Sequence, residues 1–159
     1  MLKKYKGAII LTSVIILLPV IAGMILWNRL PAEIATHFGA DNQPNGFSSK
    51  AFAVFGLPLI MLGLHLLCII ATNADPKNKN ISGKAIAIVL WIIPLTSLIL
   101  MSVTYAYALG TKMRIGFIVI MLLGILFILL GNYMPKTKQN YTFGLRIPWT
   151  LNDKENWVK

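Results

Sequence analysis

Residues 85–111 read AIAIVLWIIPLTSLILMSVTYAYALGT, a run of 27 residues without a charged side chain between Lys84 and Lys112. A helix rises about 1.5 Å per residue and the hydrocarbon core of a bilayer is about 30 Å thick, so about 20 apolar residues cross it. Three further charge-free runs, of 22, 24 and 21 residues, occupy positions 7–28, 51–74 and 115–135. None of them alternates polar and apolar residues as the strands of a membrane barrel do, so helices are expected. The sequence therefore predicts an all-α, polytopic membrane protein with four transmembrane helices.

The composition excludes other common classes of protein. Of the 159 residues, 57% are hydrophobic and 13% are charged, whereas soluble domains carry roughly 25% charged residues. Cys68 is the single cysteine, which rules out an internal disulfide framework. The apolar stretch after Lys6 is longer than the roughly 7–15 residues of a signal-peptide core, so we expect a retained helix. A soluble globular fold, a disordered chain and a disulfide-stapled secreted domain are excluded.

The basic residues indicate the orientation in the membrane. We expect the helices at about 7–28, 51–72, 83–109 and 115–134. The transmembrane region then covers residues 1–134, with an outer loop at 29–50, and a tail follows at 135–159. Four spans put both termini on one side, with eleven of the 15 Lys and Arg residues; the other side holds Arg29, Lys50, Lys112 and Arg114. Because basic loops stay in the cytoplasm, both termini are predicted to be cytoplasmic.

The outer loop is expected to begin with a short amphipathic helix. Leu30, Ile34 and Phe38 recur at four-residue spacing, with Glu33, His37 and Asp41 on another face. The turn formers at 41–46 would end this helix, and Ser48 and Ser49 would cap the second span.

The polar face of that loop has three interpretations. Glu33, His37 and Asp41 are residue types that bind metal ions, but no fourth ligand lies nearby, so a solvated polar face is favoured. A pH-responsive role for His37 is the third interpretation.

The membrane-embedded stretches offer little chemistry. His65 is the one ionisable residue at depth, and we expect it to bond to a neighbouring Ser, Thr or Tyr rather than to bind a ligand or relay protons. Pro19, Pro58 and Pro94 fall within spans, where helix kinks for packing are favoured over the shaping of a cavity. Because no catalytic triad, paired carboxylates, phosphate loop or metalloprotease motif is present, an enzyme is not expected.

The tail carries the most specific sequence. Gly144 and Pro148 bracket Arg146 and would hold a bend that aims its guanidinium at a phosphate, a helix C-terminus or a partner. Aromatic residues among basic ones also suit the headgroup layer of the membrane. Thr150 with Asp153, or Asn152 with Glu155, is typical of the start of a capped helix.

Two motifs resemble a known family. Gly131-Asn132, Pro135, Asn140, Gly144-Leu145-Arg146-x-Pro148-Trp149-Thr150-Leu151 and Trp157 resemble the signature of the SdpI family, bacterial membrane proteins named for immunity to a secreted sporulation-delaying toxin peptide. Leu30-Pro31-x-x-Ile34-x-x-His37-Phe38, with Gly46 and Lys50, is similar to the domain of unknown function that precedes this signature.

This resemblance implies a function. The chain would lie in the cytoplasmic membrane of a bacterium and neutralise a toxic peptide without a cofactor or direct contact with nucleic acid. Its partners would be the toxin peptide, membrane lipids, a transcriptional repressor and a second copy of the chain. Longer family members have six helices, so we expect a short or shortened member here. The residues expected to bind partners are His37, Asn140, Gly144, Arg146, Pro148, Trp149 and Thr150.

Two other functions remain open from the residues alone. A transporter or channel for a small solute or lipid would need a polar path through the bundle. Besides His65, the candidates for that path are Thr12, Ser13, Thr96, Ser97, Ser102 and Thr104. A membrane enzyme would need a metal at Glu33 and His37 with an open coordination position.

Overall fold

Four long apolar helices dominate the computed structural model, which describes residues 2–133, 136–142, 144, 147–152 and 154–158. They are α1 (Leu2–Ile25), α2 (Phe52–Ala74), α3 (Gly83–Ala108) and α4 (Ile115–Tyr133), and each is long and apolar enough to cross a membrane. They correspond to the four predicted spans. The largest shift in a boundary is at α1, which begins at Leu2 and so carries Lys3, Lys4 and Lys6 on its exposed first turns.

The first three helices form the core, with one apolar cluster near each end. Beside the loop between α1 and α2, a buried cluster joins α2 and α3 to that loop, and Leu26 and Trp27, just after α1, pack against it. Its members are Leu30, Ile34, Ala53, Val54, Met101 and Tyr105. We call this end of the bundle the hairpin end. The other cluster consists of Ile69, Ile81, Ala85, Ile86 and Leu90, and we call its end the tail end.

A glycine allows the core helices to approach closely at the hairpin end. A Cβ added to Gly23 of α1 would lie 2.6 Å from the Tyr105 hydroxyl and 2.6 Å from a methyl of Val54. That hydroxyl donates a hydrogen bond to the carbonyl of Pro19, at 3.0 Å. Small residues at such crossings are the usual means of packing membrane helices.

The three prolines within spans are buried. Pro58 follows a π-helical first turn of α2 at Phe52–Gly56, where the N–H of Leu57 bonds to the carbonyl of Phe52. Proline lacks an N–H and disturbs the ladder before it, and single π turns are a common way to absorb this disturbance.

The outer loop is a β-hairpin, so the predicted amphipathic helix at Leu30–Phe38 is wrong. Strands β1 (Glu33–Phe38) and β2 (Pro44–Ser49) pair antiparallel, with Glu33 opposite Ser49 and Ala35 opposite Phe47. A hydrogen bond of 2.9 Å joins the hydroxyls of Thr36 and Ser48 across the strands. The class is therefore helical with a two-stranded sheet at the hairpin end.

The turn explains why a hairpin forms. Asn42 has a φ of +63°, a left-handed conformation that asparagine tolerates and that a helix does not contain. The Asp41 carboxylate accepts a hydrogen bond from the N–H of Gln43 at 3.0 Å, and the N–H of Gly39 reaches the carbonyl of Gln43 at 2.8 Å. The turn formers thus reverse the chain between two strands instead of ending a helix.

Candidate functional site

Lys50 fixes the hairpin to the end of α1. Its ammonium donates to the carbonyls of Trp27 and Leu30, at 3.0 Å each, and lies 5.0 Å from the centre of the Trp27 ring. Carbonyls after a helix end lack partners within the helix and carry partial negative charge, so a cation stabilises them. At the start of α2, the Ser49 hydroxyl accepts from the N–H of Phe52 at 3.3 Å, the cap expected from the sequence.

His37 lies exposed on β1 and pairs across the hairpin. Its Nδ1 is 2.6 Å from the side-chain oxygen of Asn45. The neighbouring Phe38 ring meets Tyr107 of α3 edge-on, with centroids 5.0 Å apart. Among the described residues, Glu33, His37 and Asp41 do not come together as a group of three possible metal ligands; all three are exposed.

The turn of the hairpin also reaches α4. The Asn42 side-chain oxygen accepts a hydrogen bond from the backbone N–H of Gly116 at 2.8 Å. Gly116 is the second residue of α4, and an N–H in the first turn has no acceptor within its own helix. Asn42 therefore caps a helix that begins more than 70 positions further along the chain.

His65 bonds within the bundle, as expected. Its Nε2 is 3.0 Å from the Thr12 hydroxyl oxygen of α1, and both side chains are fully buried. When Thr12 donates its single proton to the Ala8 carbonyl at 2.8 Å or the Ile9 carbonyl at 3.1 Å, the His65 Nε2 carries the proton of the pair. Its Nδ1 and the Ser97 hydroxyl are buried without a hydrogen-bond partner among the described residues.

At the tail end, Asp75 joins the tail to the loop between α2 and α3. The side chain is 4% exposed. One carboxylate oxygen accepts from the N–H of Lys77 at 2.7 Å. The other accepts from the N–H of Tyr141 and from the Thr142 hydroxyl, both at 2.7 Å. Three short bonds to one buried carboxylate hold residues 141–142 against this loop.

Gln139 continues the same network. Its side-chain oxygen accepts from the ammonium of Lys77 at 2.8 Å, and its amide nitrogen donates to the carbonyl of Leu151 at 2.6 Å. The Asn80 side chain donates to the backbone carbonyl of Gln139 at 2.7 Å. Gln139 thus connects the loop to the short helix α5 (Pro148–Asn152).

Asn140 and Gly144, predicted as binding residues, shape the tail. Asn140 is buried; its amide donates to the carbonyl of Lys138 and its oxygen accepts from the N–H of Thr142, both at 2.9 Å. Gly144 has a φ of +119°, and a Cβ there would lie 3.1 Å from the Trp157 ring. The Trp157 indole belongs to the short helix α6 (Lys154–Val158) and donates to the Thr137 carbonyl at 2.7 Å.

The other predicted tail residues have different surroundings. Pro148 opens α5, and Trp149 is 63% exposed. The Thr150 hydroxyl accepts from the N–H of Ile147 at 3.1 Å, so Thr150 occupies the third helical position and bonds back to the residue before the helix. Of the two predicted helix starts, Thr150 lies inside α5 rather than before it, whereas Asn152 lies two residues before Lys154, the first residue of α6. Arg146 and Asp153 lie outside the described residues, as does the predicted aim of the Arg146 guanidinium.

Sequence reasoning missed Asp75, Lys77 and Gln139. A signal was present, because Asp75 is the one acidic residue between Asp41 and Asp153 and stands at the end of an apolar run among lysines. A lone carboxylate in a basic loop is expected to find several donors.

Comparison with known proteins gives two matches. A family described as a domain of unknown function (DUF1648) matches residues 14–62, which span the second half of α1, the hairpin and the first half of α2. The chain is also 32% identical over 152 residues to the immunity protein SdpI of Bacillus subtilis (strain 168), covering 93% of this chain and 70% of that protein. No solved structure matches the chain.

Proposed function

The chain belongs to the SdpI family, and from this premise we propose that it is an integral membrane immunity protein that protects its cell against a secreted antimicrobial or toxin peptide. The observation that carries the proposal is the 32% identity over 93% of the chain to a protein named for immunity. The similarity extends through the spans, the hairpin and the tail, so it is not limited to shared apolar composition.

The hairpin end is the part that would meet the peptide. The tail end carries eleven of the 15 basic residues, so we place it in the cytoplasm and the hairpin on the outer face of a bacterial cytoplasmic membrane. A hairpin held by Lys50 and Asn42 presents side chains on a fixed frame, among them His37 and Phe47, which is 58% exposed. A preformed surface loses less entropy on binding than a mobile loop.

Neutralisation by binding is the proposed mode of action. A non-enzymatic role agrees with the name of the relative. It also agrees with the surroundings of His65, whose Nε2 is bonded to Thr12 in the closed interior. Transport is less well supported, since two of its candidate polar residues, Thr12 and Ser97, are fully buried and grooves on the bundle are lined mainly by apolar side chains.

The tail would make the contacts that this function needs on the cytoplasmic face of the membrane. Its fold presents Trp149 to the surroundings while burying Asn140. We assign to this surface the contacts with lipid headgroups, a transcriptional repressor or a second copy that the family resemblance implies. Arg146 lies four residues after Thr142 and three before Trp149, within the same segment of the sequence.

Protection of sensitive cells tests the proposal. The chain is expressed in bacteria that a panel of secreted peptide toxins kills, and survival is compared with cells carrying an empty vector. We expect survival against at least one toxin; killing that is unchanged across the panel would refute immunity. Arg146→Ala and Trp149→Ala should lose protection while remaining in the membrane. Phe127→Ala, which truncates another exposed aromatic residue on α4 (68% exposed), should protect fully.

A further inference from the structure

Helix α4 is held mainly at its two ends. Ile115 is its one buried member within the described part of the chain. Of its most apolar stretch 6% is buried, compared with 22–28% for the other three helices. Its middle borders an apolar groove of about 510 Å³ shared with α3, lined by residues that include Trp91, Leu95 and Leu126. Contacts along its length therefore do little to fix its position.

At the hairpin end, the fixing contact is the hydrogen bond from the Gly116 N–H to Asn42. Asn42 belongs to a turn that its own backbone and Asp41 hold in shape. The hairpin is in turn fixed to α1 by Lys50. The first turn of α4 is thus held by the Asn42 hydrogen bond together with the burial of Ile115.

At the tail end, α4 continues within a few residues into the segment 136–142. Tyr141 and Thr142 of this segment bond to Asp75, which directly follows α2. The loop after Asp75 packs into the core through Ile81. The last turn of α4 packs directly against the tail-end cluster through Leu130 and Tyr133, and the docked tail ties it to the same core a second time.

We propose that α4 mechanically couples the hairpin turn to the tail, with Asn42 as the positioning residue at one end and Asp75 as the docking residue at the other. A helix with its backbone bonds made moves as a rigid body more easily than it bends, and shear of packed helices is a known mode of switching. A peptide that binds the hairpin turn and draws Asn42 away from Gly116 shifts α4 and weakens tail docking, provided that it binds the two arrangements with different affinity.

The coupling itself needs no toxin, and only the identity of the peptide rests on the proposed function. It predicts that a change confined to the hairpin turn alters the tail across the full length of α4. No direct contact between the hairpin and residues 136–142 is required.

Limited proteolysis of the full chain in lipid nanodiscs tests the coupling, because trypsin then reaches both faces. Lys136 and Lys138 are exposed cleavage sites in the tail, and cleavage there requires the docked segment to open. Asn42→Ala should speed cleavage at these sites roughly two- to tenfold, the change expected from the loss of one hydrogen bond. Asp75→Asn, which acts on the tail directly, should speed it at least as much.

Matched variants separate coupling from general damage. Asn45→Ala alters the same hairpin but removes only the partner of His37, so it should leave cleavage at the wild-type rate. Asn42→Asp keeps an acceptor for Gly116 and should also retain the wild-type rate. Gly116→Pro removes the donor from the α4 side, and its ring takes the place of the N–H that faces the Asn42 side chain. Because proline is tolerated in a first helical turn, this variant should speed cleavage at least as much as Asn42→Ala.

If Asn42→Ala and Gly116→Pro are both cleaved at the wild-type rate while Asp75→Asn is cleaved faster, the coupling is refuted. The proposed immunity function is not affected by that result. Wild-type cleavage in Asp75→Asn would refute the docking step and the coupling with it. Faster cleavage in Asn42→Ala and Gly116→Pro, but not in Asn45→Ala, would support the coupling even if no toxin were neutralised. That last result combined with failure in the survival assay would overturn only the proposed function.

Discussion

Replacing Asp75 with Asn should release the tail from the loop between α2 and α3. The carboxylate accepts three hydrogen bonds, one at the oxygen near Lys77 and two at the oxygen near Tyr141 and Thr142. An amide keeps only one acceptor oxygen. Its better orientation turns that oxygen toward Tyr141 and Thr142 and leaves its NH₂ group facing the N–H of Lys77.

The magnitude follows from these contacts. Hydrogen bonds to a charged group contribute about 1.5–3 kcal/mol and neutral ones about 0.5–1.5 kcal/mol, and a buried donor without an acceptor costs about 1–3 kcal/mol. Two bonds weakened by about 1–1.5 kcal/mol each and one donor left unpaired sum to about 3–6 kcal/mol in the free energy of tail docking. Little of this is lost to solvent screening, because Asp75 is 4% exposed.

Amide hydrogen exchange measures this docking directly. The Tyr141 N–H is bonded to the carboxylate, and a loss of about 3–6 kcal/mol corresponds to roughly 100- to 20,000-fold faster exchange through opening of the tail. The matched control is Glu33→Gln, the same loss of a carboxylate at an exposed residue of β1 outside the turn, which should leave exchange of residues 136–142 unaltered. An acceleration below about threefold in Asp75→Asn would refute the assignment of Asp75 as the docking residue.

Three further predictions concern single contacts. Gly144→Ala should destabilise the folded tail by about 1–3 kcal/mol because of its positive φ and the close Trp157 ring, which exchange at 136–142 would report; Gly131→Ala, with open space around it, should have no such effect. Thr12→Val should lower the free energy of unfolding in mixed micelles by about 0.5–2 kcal/mol, since it leaves the buried N–H of His65 unpaired; Thr96→Val is the control, and equal stability of the two variants would contradict the hydrogen bond. Lys50→Met keeps the side-chain length but removes both bonds to the end of α1, so amides of residues 29–35 should exchange faster, while Arg29→Met, the same loss of charge at an exposed residue, should leave them unchanged.

The spans could be predicted because one physical requirement decides them. A backbone in hydrocarbon must satisfy its own hydrogen bonds, and a charge-free run long enough to cross has one common solution. The partner of His65 was predicted by type for the same reason, since a polar group at depth must bond to a hydroxyl or amide nearby. Boundaries shifted where lysines at the surface, such as Lys3 and Lys4, continue a helix beyond the apolar run.

The hairpin was mispredicted because Leu30, Ile34 and Phe38 fit two periodicities. Positions four apart share a face in a helix, and they also share a face in a strand. The turn distinguishes the strand from the helix, because Asn42 adopts a positive φ there and accepts a hydrogen bond from Gly116, far along the chain. The local bonds of this turn and the contact with Gly116 together favour the strand pairing over the helix.

The contacts of the tail with Asp75 could not be predicted from the sequence, for a different reason. The residues of its motif were visible, but their partner Asp75 lies 66 positions before Tyr141. No local pattern reports such a pairing without a set of related sequences. Sequence reasoning therefore identified Asn140 and Gly144 as special and assigned them to binding, whereas the structure shows them shaping the chain around the Asp75 contact.

The unequal lengths of the helices make membrane thickness a variable for this protein. With 19 residues, α4 extends about 28 Å, close to the thickness of the hydrocarbon core, whereas α3, with 26 residues, extends about 39 Å and must tilt to fit. In a bilayer with longer acyl chains α3 tilts less, so its ends move outward along the membrane normal relative to those of α4. Shorter acyl chains have the opposite effect. The tension on the Asn42 and Asp75 attachments would then change with lipid chain length, so the acyl composition of the host bilayer acts on the two faces of the protein together.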